Sequence, residues 1–161
     1  MDEQAGAGPQ DNWLEDFSPG MSFRTASKVI TEAEIIDFAR QFDPQYYHLD
    51  PMAAEASDFG GLIASGIHMI SASFRLFFDL DLWPNAIIAS PGMDAVRFLK
   101  PVRPGDEIRV TVEVTEIRPS KSKPDRGVVV MRHETWNQRD ERILSVDCMH
   151  MLKYRNPPDG S

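Results

Sequence analysis

The sequence predicts an α+β fold in which a curved antiparallel sheet wraps around one long central helix. Three observations lead there. Residues 65–80, SGIHMISASFRLFFDL, are the most apolar stretch, and Ile67, Ile70, Phe74, Phe77 and Phe78 recur in it at three- and four-residue steps, the period of a helix. Met69, Ala72, Ser73 and Leu76 fill much of the remaining circumference, and a helix that is apolar nearly all round belongs in a core. The period then changes. Ile108, Val110, Val112 and Val114 alternate with Arg109, Thr111, Glu113 and Thr115, which marks a strand with one buried face. Finally, after one early strand the helical segments come together and about four long strands follow, the order of an α+β domain rather than of alternating βα units.

The elements follow in chain order. Residues 1–20 are polar and acidic and read as a flexible tail, residues 21–155 as a single domain, and residues 156–161 as a second short tail. Phe23–Ile30 is the first strand. Thr31 reads as a helix N-cap, with Glu34 completing a capping box. Ile35, Ile36, Phe38, Ala39 and Phe42 give that helix its apolar face. It stops near Phe42, because Pro44 pushes Asp43 out of the α region. A loop covers residues 44–50, and Pro51 opens a short helix through Met52 to Ala56. Gly60 and Gly61 break the chain before the long helix. Val96–Leu99 is a strand, and Pro101, Pro104 and Gly105 separate it from the alternating strand. A polar loop, residues 119–126, precedes strands at 127–137 and 143–154, which are joined by the turn Gln138-Arg139-Asp140-Glu141. One curved sheet around one helix buries both the alternating faces and the all-round apolar helix, and this is the layout of a hot dog fold.

Composition narrows the function. The 161 residues suit one domain. A formal net charge of −8 argues against a general nucleic-acid binder, whose affinity comes from neutralising phosphates. The single cysteine, Cys148, can form neither an internal disulfide nor a thiolate metal cluster, and its strand-like flanks suit a small buried hydrophobe. The acidic N-terminus lacks the apolar segment of a signal peptide, and no apolar run approaches the ~18 residues of a membrane span. The expectation is a cytoplasmic protein with no membrane partner.

Candidate chemistry centres on FDPQYYHLD, residues 42–50. Asp43 and His48 would be roughly 16 Å apart in an extended chain, but Pro44 and the helix start at Pro51 favour a bent path that lets them converge. A carboxylate and an imidazole facing one cavity can hold and polarise a water, and the imidazole titrates near neutrality. The spacing alone is equally compatible with an ordinary surface loop. In GGLIASGIHMI, residues 60–70, Gly66 stands where the long helix begins. There, unpaired amides and the positive end of the helix dipole would suit an oxygen that gains negative charge. Those glycines serve equally well for tight helix packing. His68 reads as core or helix-end structure. His133 and His150 lie on strands without a further ligand at zinc spacing, so no metal is expected. Arg97, Lys100, Arg103, Lys121, Lys123 and Arg126 could meet the phosphates of one phosphorylated cofactor or simply form a solvated fringe.

Together, Asp43-Pro44-Gln45-Tyr46-Tyr47-His48, Phe59-Gly60-Gly61-Leu62-Ile63-Ala64-Ser65-Gly66 and Val96-Arg97-Phe98-Leu99-Lys100-Pro101-Val102-Arg103-Pro104-Gly105-Asp106 resemble the MaoC-like dehydratase family, which includes R-specific enoyl-CoA hydratases. The resemblance runs from about Phe23 to Tyr154. It implies reversible addition of water to a 2-enoyl-CoA, with Asp43 and His48 catalytic and the Gly66 amide as oxyanion donor. Ser65, Ile63, Ala64, Tyr47 and Arg97 would contact the substrate. It implies no cofactor beyond the coenzyme A carried by the acyl-CoA thioester, and a homodimer or dimer of dimers with hot dogs paired edge to edge. A thioesterase or a non-catalytic acyl-CoA-binding module is the alternative. Thioesterase hot dogs generally place an acidic residue in the central helix, whereas residues 66–78 hold none. Many R-hydratases carry Asn-Pro between the Asp and the His. Here Pro-Gln-Tyr-Tyr fills the gap, and this loop borders the acyl pocket in the family, so the acyl group is left open. Tyr46, Tyr47, Phe74 and Phe77 are candidates to narrow that pocket.

Overall fold

The structure, a computed structural model, describes residues 4–5 and 10–158. In chain order these form β1 (Gln4–Ala5), β2 (Ser22–Arg24), β3 (Lys28–Val29), α1 (Glu32–Phe42), α2 (Tyr46–Leu49), α3 (Pro51–Glu55), α4 (Gly66–Phe78), β4 (Ile87–Phe98), β5 (Glu107–Pro119), β6 (Arg126–Trp136) and β7 (Arg142–Lys153). The sheet runs β1-β2-β5-β6-β7-β4, with β3 also paired to β5. All pairings are antiparallel except the two-residue β1–β2 contact.

The expected alternation is the concave face of the sheet. Ile108, Val110, Val112 and Val114 are each 0% exposed, and burying one such side chain contributes about 2 kcal/mol. With Val129 and Met131 of β6 and Leu144 and Leu152 of β7 they pack around Met69, Ala72, Leu76 and Phe77 of α4. The hot dog layout is thus the observed one. The capping box of α1 is also present: Thr31 Oγ1 accepts from the Glu34 amide, and Glu34 accepts from the Thr31 amide.

Several sequence expectations are corrected. The strand Phe23–Ile30 splits into β2 and β3, because the Thr25 hydroxyl takes the Val110 N–H that a continuous ladder would bond through backbone. Tyr46–Leu49 is a helical turn rather than loop. The strand Val96–Leu99 begins nine residues earlier, at Ile87. Pro91 and Gly92 disguise it, yet among the described residues β4 pairs only with β7, and a sheet edge tolerates proline where the register shifts between Ala89 and Gly92. Part of the segment expected as an N-terminal tail, residues 1–20, belongs to the core. Leu14 and Phe17 are 1% and 5% exposed and join the core around the helical turn Leu14–Asp16. The remainder of that tail, residues 1–3 and 6–9, and residues 159–161 of the C-terminal tail lie outside the described residues. Lastly, α4 is not sealed all round: Ile67 and Phe78 are 55% and 45% exposed.

Candidate active site

Two tight turns bring Asp43 and His48 together. Asp43 ends α1, its amide donating to Ala39 O at 2.9 Å, and Pro44 prevents the helix from continuing. The Gln45 amide then donates to Asp43 O at 2.8 Å and the His48 amide to Gln45 O at 2.9 Å, which coils the chain into α2. Asp50 caps α3 by accepting from the Met52 and Ala53 amides, and fixes the exit from the turn. His48 Nε2 consequently lies 3.4 Å from Asp43 Oδ2.

The segment before α4 orients both groups. Ile63 donates its amide to Tyr47 O at 3.1 Å, and its carbonyl lies 2.7 Å from His48 Nδ1. A carbonyl only accepts, so Nδ1 carries the proton, and in the neutral imidazole Nε2 presents a lone pair to Asp43. Ser65 Oγ donates to Asp43 Oδ2 at 2.7 Å, and Gln45 Nε2 donates to Asp43 Oδ1 at 2.9 Å. These bonds, that from Gln45 foremost, hold the Asp43 carboxyl below its ordinary 3.8 despite partial burial. An ionised carboxylate and a neutral Nε2 are both acceptors. A water in the cavity beside them can donate one hydrogen to each.

Ser65 occupies the N-cap of α4 without capping it, because its hydroxyl is turned to Asp43. Gly66 and Ile67, which carry the first amides of α4, line a cavity of about 480 Å3 that also opens onto Asp43 and His48. Its walls are mainly apolar, with Tyr47, Phe59, Met69, Phe98, Val102 and Ile143 among them. The Phe98 ring rests on Gly66 so closely that an added Cβ would come within 2.6 Å of it. A larger residue at that position would have to displace the ring.

The structure thus brings Asp43, His48, Gly66, Ile63, Ala64 and Tyr47 to one cavity. Two residues expected to touch substrate do not line it. Ser65 is 0% exposed and sits behind Asp43, and Arg97 lies on the surface with its guanidinium donating to Val96 O. Lys100 reaches the cavity instead, paired with Glu141. Phe74 and Phe77 pack against His133 and His150, away from the cavity. Gln45 was legible only as a departure from the R-hydratase pattern; Phe59, Phe98 and Val102 stood within the segments that resemble the family, but nothing there marked them as cavity walls, nor did anything mark Met69 or Ile143. His68 stacks on Phe38 at 4.8 Å with Nε2 3.5 Å from Glu34, tying α4 to α1. The Cys148 thiol is buried, and burial pushes it up to about 12.

Residues 16–137 match the family described as the MaoC like domain. The chain belongs to this family. It is 34% identical over 140 residues to the uncharacterized protein YdeM of Bacillus subtilis (strain 168), covering 87% of this chain and 98% of that protein. A MaoC-like dehydratase from Rhodospirillum rubrum superposes with a TM-score of 0.83 at 38% identity, over 90% of this chain and 99% of that one. An (R)-hydratase from A. caviae superposes with a TM-score of 0.64 at 27% identity, over 87% of this chain and 98% of that one. The general class of this MaoC-like domain is hydratase/dehydratase. Among the described residues no helix is long and apolar enough to cross a membrane.

Proposed function

We propose that this MaoC-like domain adds water reversibly to a 2-enoyl-CoA and forms a 3-hydroxyacyl-CoA. The observation that carries the reading is the pair of proton acceptors, Asp43 Oδ2 and His48 Nε2, 3.4 Å apart at a largely apolar cavity that starts at the N-terminus of α4. A water held by both acceptors loses a proton to one of them as its oxygen bonds to C3 of the enoyl group. The thioester oxygen gains charge and is stabilised by the Gly66 amide at the positive end of α4. A proton returned to C2 from the pair completes the addition, and dehydration is the reverse. Addition of water is redox-neutral, so the reading needs no cofactor other than the coenzyme A of the substrate. The largely apolar walls suit a hydrocarbon acyl group.

The reading includes a homodimer, or a dimer of dimers, in the cytoplasm. Among the described residues the outer edge of β4 has no partner strand, and Met93 and Phe98 of β4 are 44% and 55% exposed. Edge-to-edge pairing of two copies would remove that open edge.

A panel of 2-enoyl-CoA thioesters of increasing chain length, followed by loss of the enoyl absorbance, tests the assignment. At least one should turn over. Asp43→Asn should cut kcat by about 10^3 without lowering the melting temperature substantially. Full activity in Asp43→Asn, or release of free thiol from acyl-CoA in place of hydration, would sink the proposal.

A further inference from the structure

The turn between Asp43 and His48 contains a hydrogen-bonded chain of side chains that addition of water does not by itself require. Gln45 Nε2 donates to Asp43 Oδ1 at 2.9 Å, and the Tyr47 hydroxyl bonds Gln45 Oε1. The polarity of the chain is forced. An ionised carboxylate only accepts, so the amide nitrogen must face Asp43. The amide oxygen then faces Tyr47, whose hydroxyl must donate. The Tyr47 ring is itself held in place, lying edge-on to His48 at 4.5 Å and to Tyr46 at 5.1 Å, and tilted against Phe59 at 5.2 Å. Its hydroxyl is therefore a fixed donor.

Asp43 needs such support. It ends a helix, and its side chain is 22% exposed. Unrestrained, a carboxylate there turns about its last torsion and exchanges its two oxygens. Ser65 holds Oδ2 from the α4 side, and Gln45 holds Oδ1 from within the turn. Donors on both oxygens stop the rotation and keep Oδ2 facing His48.

We propose that Tyr47 and Gln45 form a relay of positioning residues that keeps Asp43 an oriented carboxylate. No proton moves along this relay; it acts by orientation and by favouring the charged form. Its use in hydration rests on the reading of Asp43 given under Proposed function, but its existence does not.

The test uses the full chain with Gln45→Leu, Tyr47→Phe and the double variant. The primary readout is the titration midpoint of the Asp43 carboxyl carbon by NMR. Gln45→Leu should raise it, because the largest of the bonds that favour the charged form is lost. Tyr47→Phe, which keeps the ring packing, should raise it by less. The double variant should match Gln45→Leu alone, because Tyr47 acts only through Gln45. An unmoved midpoint in Gln45→Leu, or additive effects in the double variant, overturns the relay.

Kinetics separate this from the function. Gln45→Leu should lower kcat for enoyl-CoA hydration about tenfold with KM changed less than about twofold. The acid limb of its pH profile should move with the Asp43 midpoint. A shifted midpoint with unaltered turnover supports the relay and overturns the role given to Asp43 in hydration.

Discussion

His48 and His133 are almost equally buried, at 4% and 1% exposed, yet they occupy opposite chemical situations. His48 has a carbonyl acceptor on Nδ1, a carboxylate 3.4 Å from Nε2, and a cavity beside it. His133 lies among Phe74, Phe77 and His150, and neither ring nitrogen has a hydrogen-bond partner among the described residues. Desolvation, with the nearby His150 adding to it, pushes His133 down to about 3, and burial pushes His150 to about 4. Among the described residues His150 has only Ser90 Oγ as a hydrogen-bond partner, on Nδ1 at 2.8 Å. Burial alone therefore makes an imidazole inert. What makes His48 usable is an acceptor that fixes its tautomer and a carboxylate that shares its cavity.

The largest effect that should separate the two regions is on turnover. His48→Ala should lower kcat by about 10^3, while His133→Leu and His150→Leu should stay within about threefold of the parent in the same absorbance assay. A comparable loss in the His133 variant would erase the distinction. The next effect is on stability, and there the roles reverse. At pH 7 both buried histidines are neutral in the folded chain, and the unfolded chain, with its imidazoles at the ordinary 6.5, protonates them only in part. As pH falls below the ordinary 6.5, the unfolded chain binds protons that the folded chain refuses. Stability is then lost down to about pH 4 for His150 and about pH 3 for His133. At pH 5 the loss is about 2 kcal/mol per histidine. Denaturant titrations at pH 7 and 5 should show this loss in the parent and much less of it in the His133→Leu/His150→Leu variant. The same loss in both proteins would refute the account of the pair. The smallest effect sharpens the N-terminal end of α4. Gly66→Ala puts a methyl group against the half-exposed Phe98 ring, and should cost about tenfold in kcat/KM. Adding Phe98→Ala should recover part of that; no recovery would mean that the methyl group obstructs the amide rather than the ring.

Much of the fold was legible because it rests on local rules. The Thr31–Glu34 cap, the helix stop before Pro44, and the alternation from Ile108 to Val114 all depend on residues within a turn or a pleat of one another. β4 escaped because Pro91 and Gly92 interrupt its pattern and a sheet edge imposes no strict alternation. Leu14 and Phe17 escaped because the polar residues around them outweighed two buried side chains. At the site, the spacing of Asp43 and His48 was readable as a possibility, whereas Ser65 was expected against substrate and instead supports Asp43 from behind.

Residue order accounts for the elements, the bend that makes convergence feasible, and the glycine where α4 begins, because these follow from backbone sterics and side-chain period. It does not account for the state of the groups that meet there. The proton on His48 is placed by the carbonyl of Ile63, 15 residues away, and Asp43 is held by Ser65, 22 residues away. Such partners are chosen by how α1, α2 and the start of α4 pack against one another. That packing turns a carboxylate and an imidazole five positions apart into two acceptors facing one cavity.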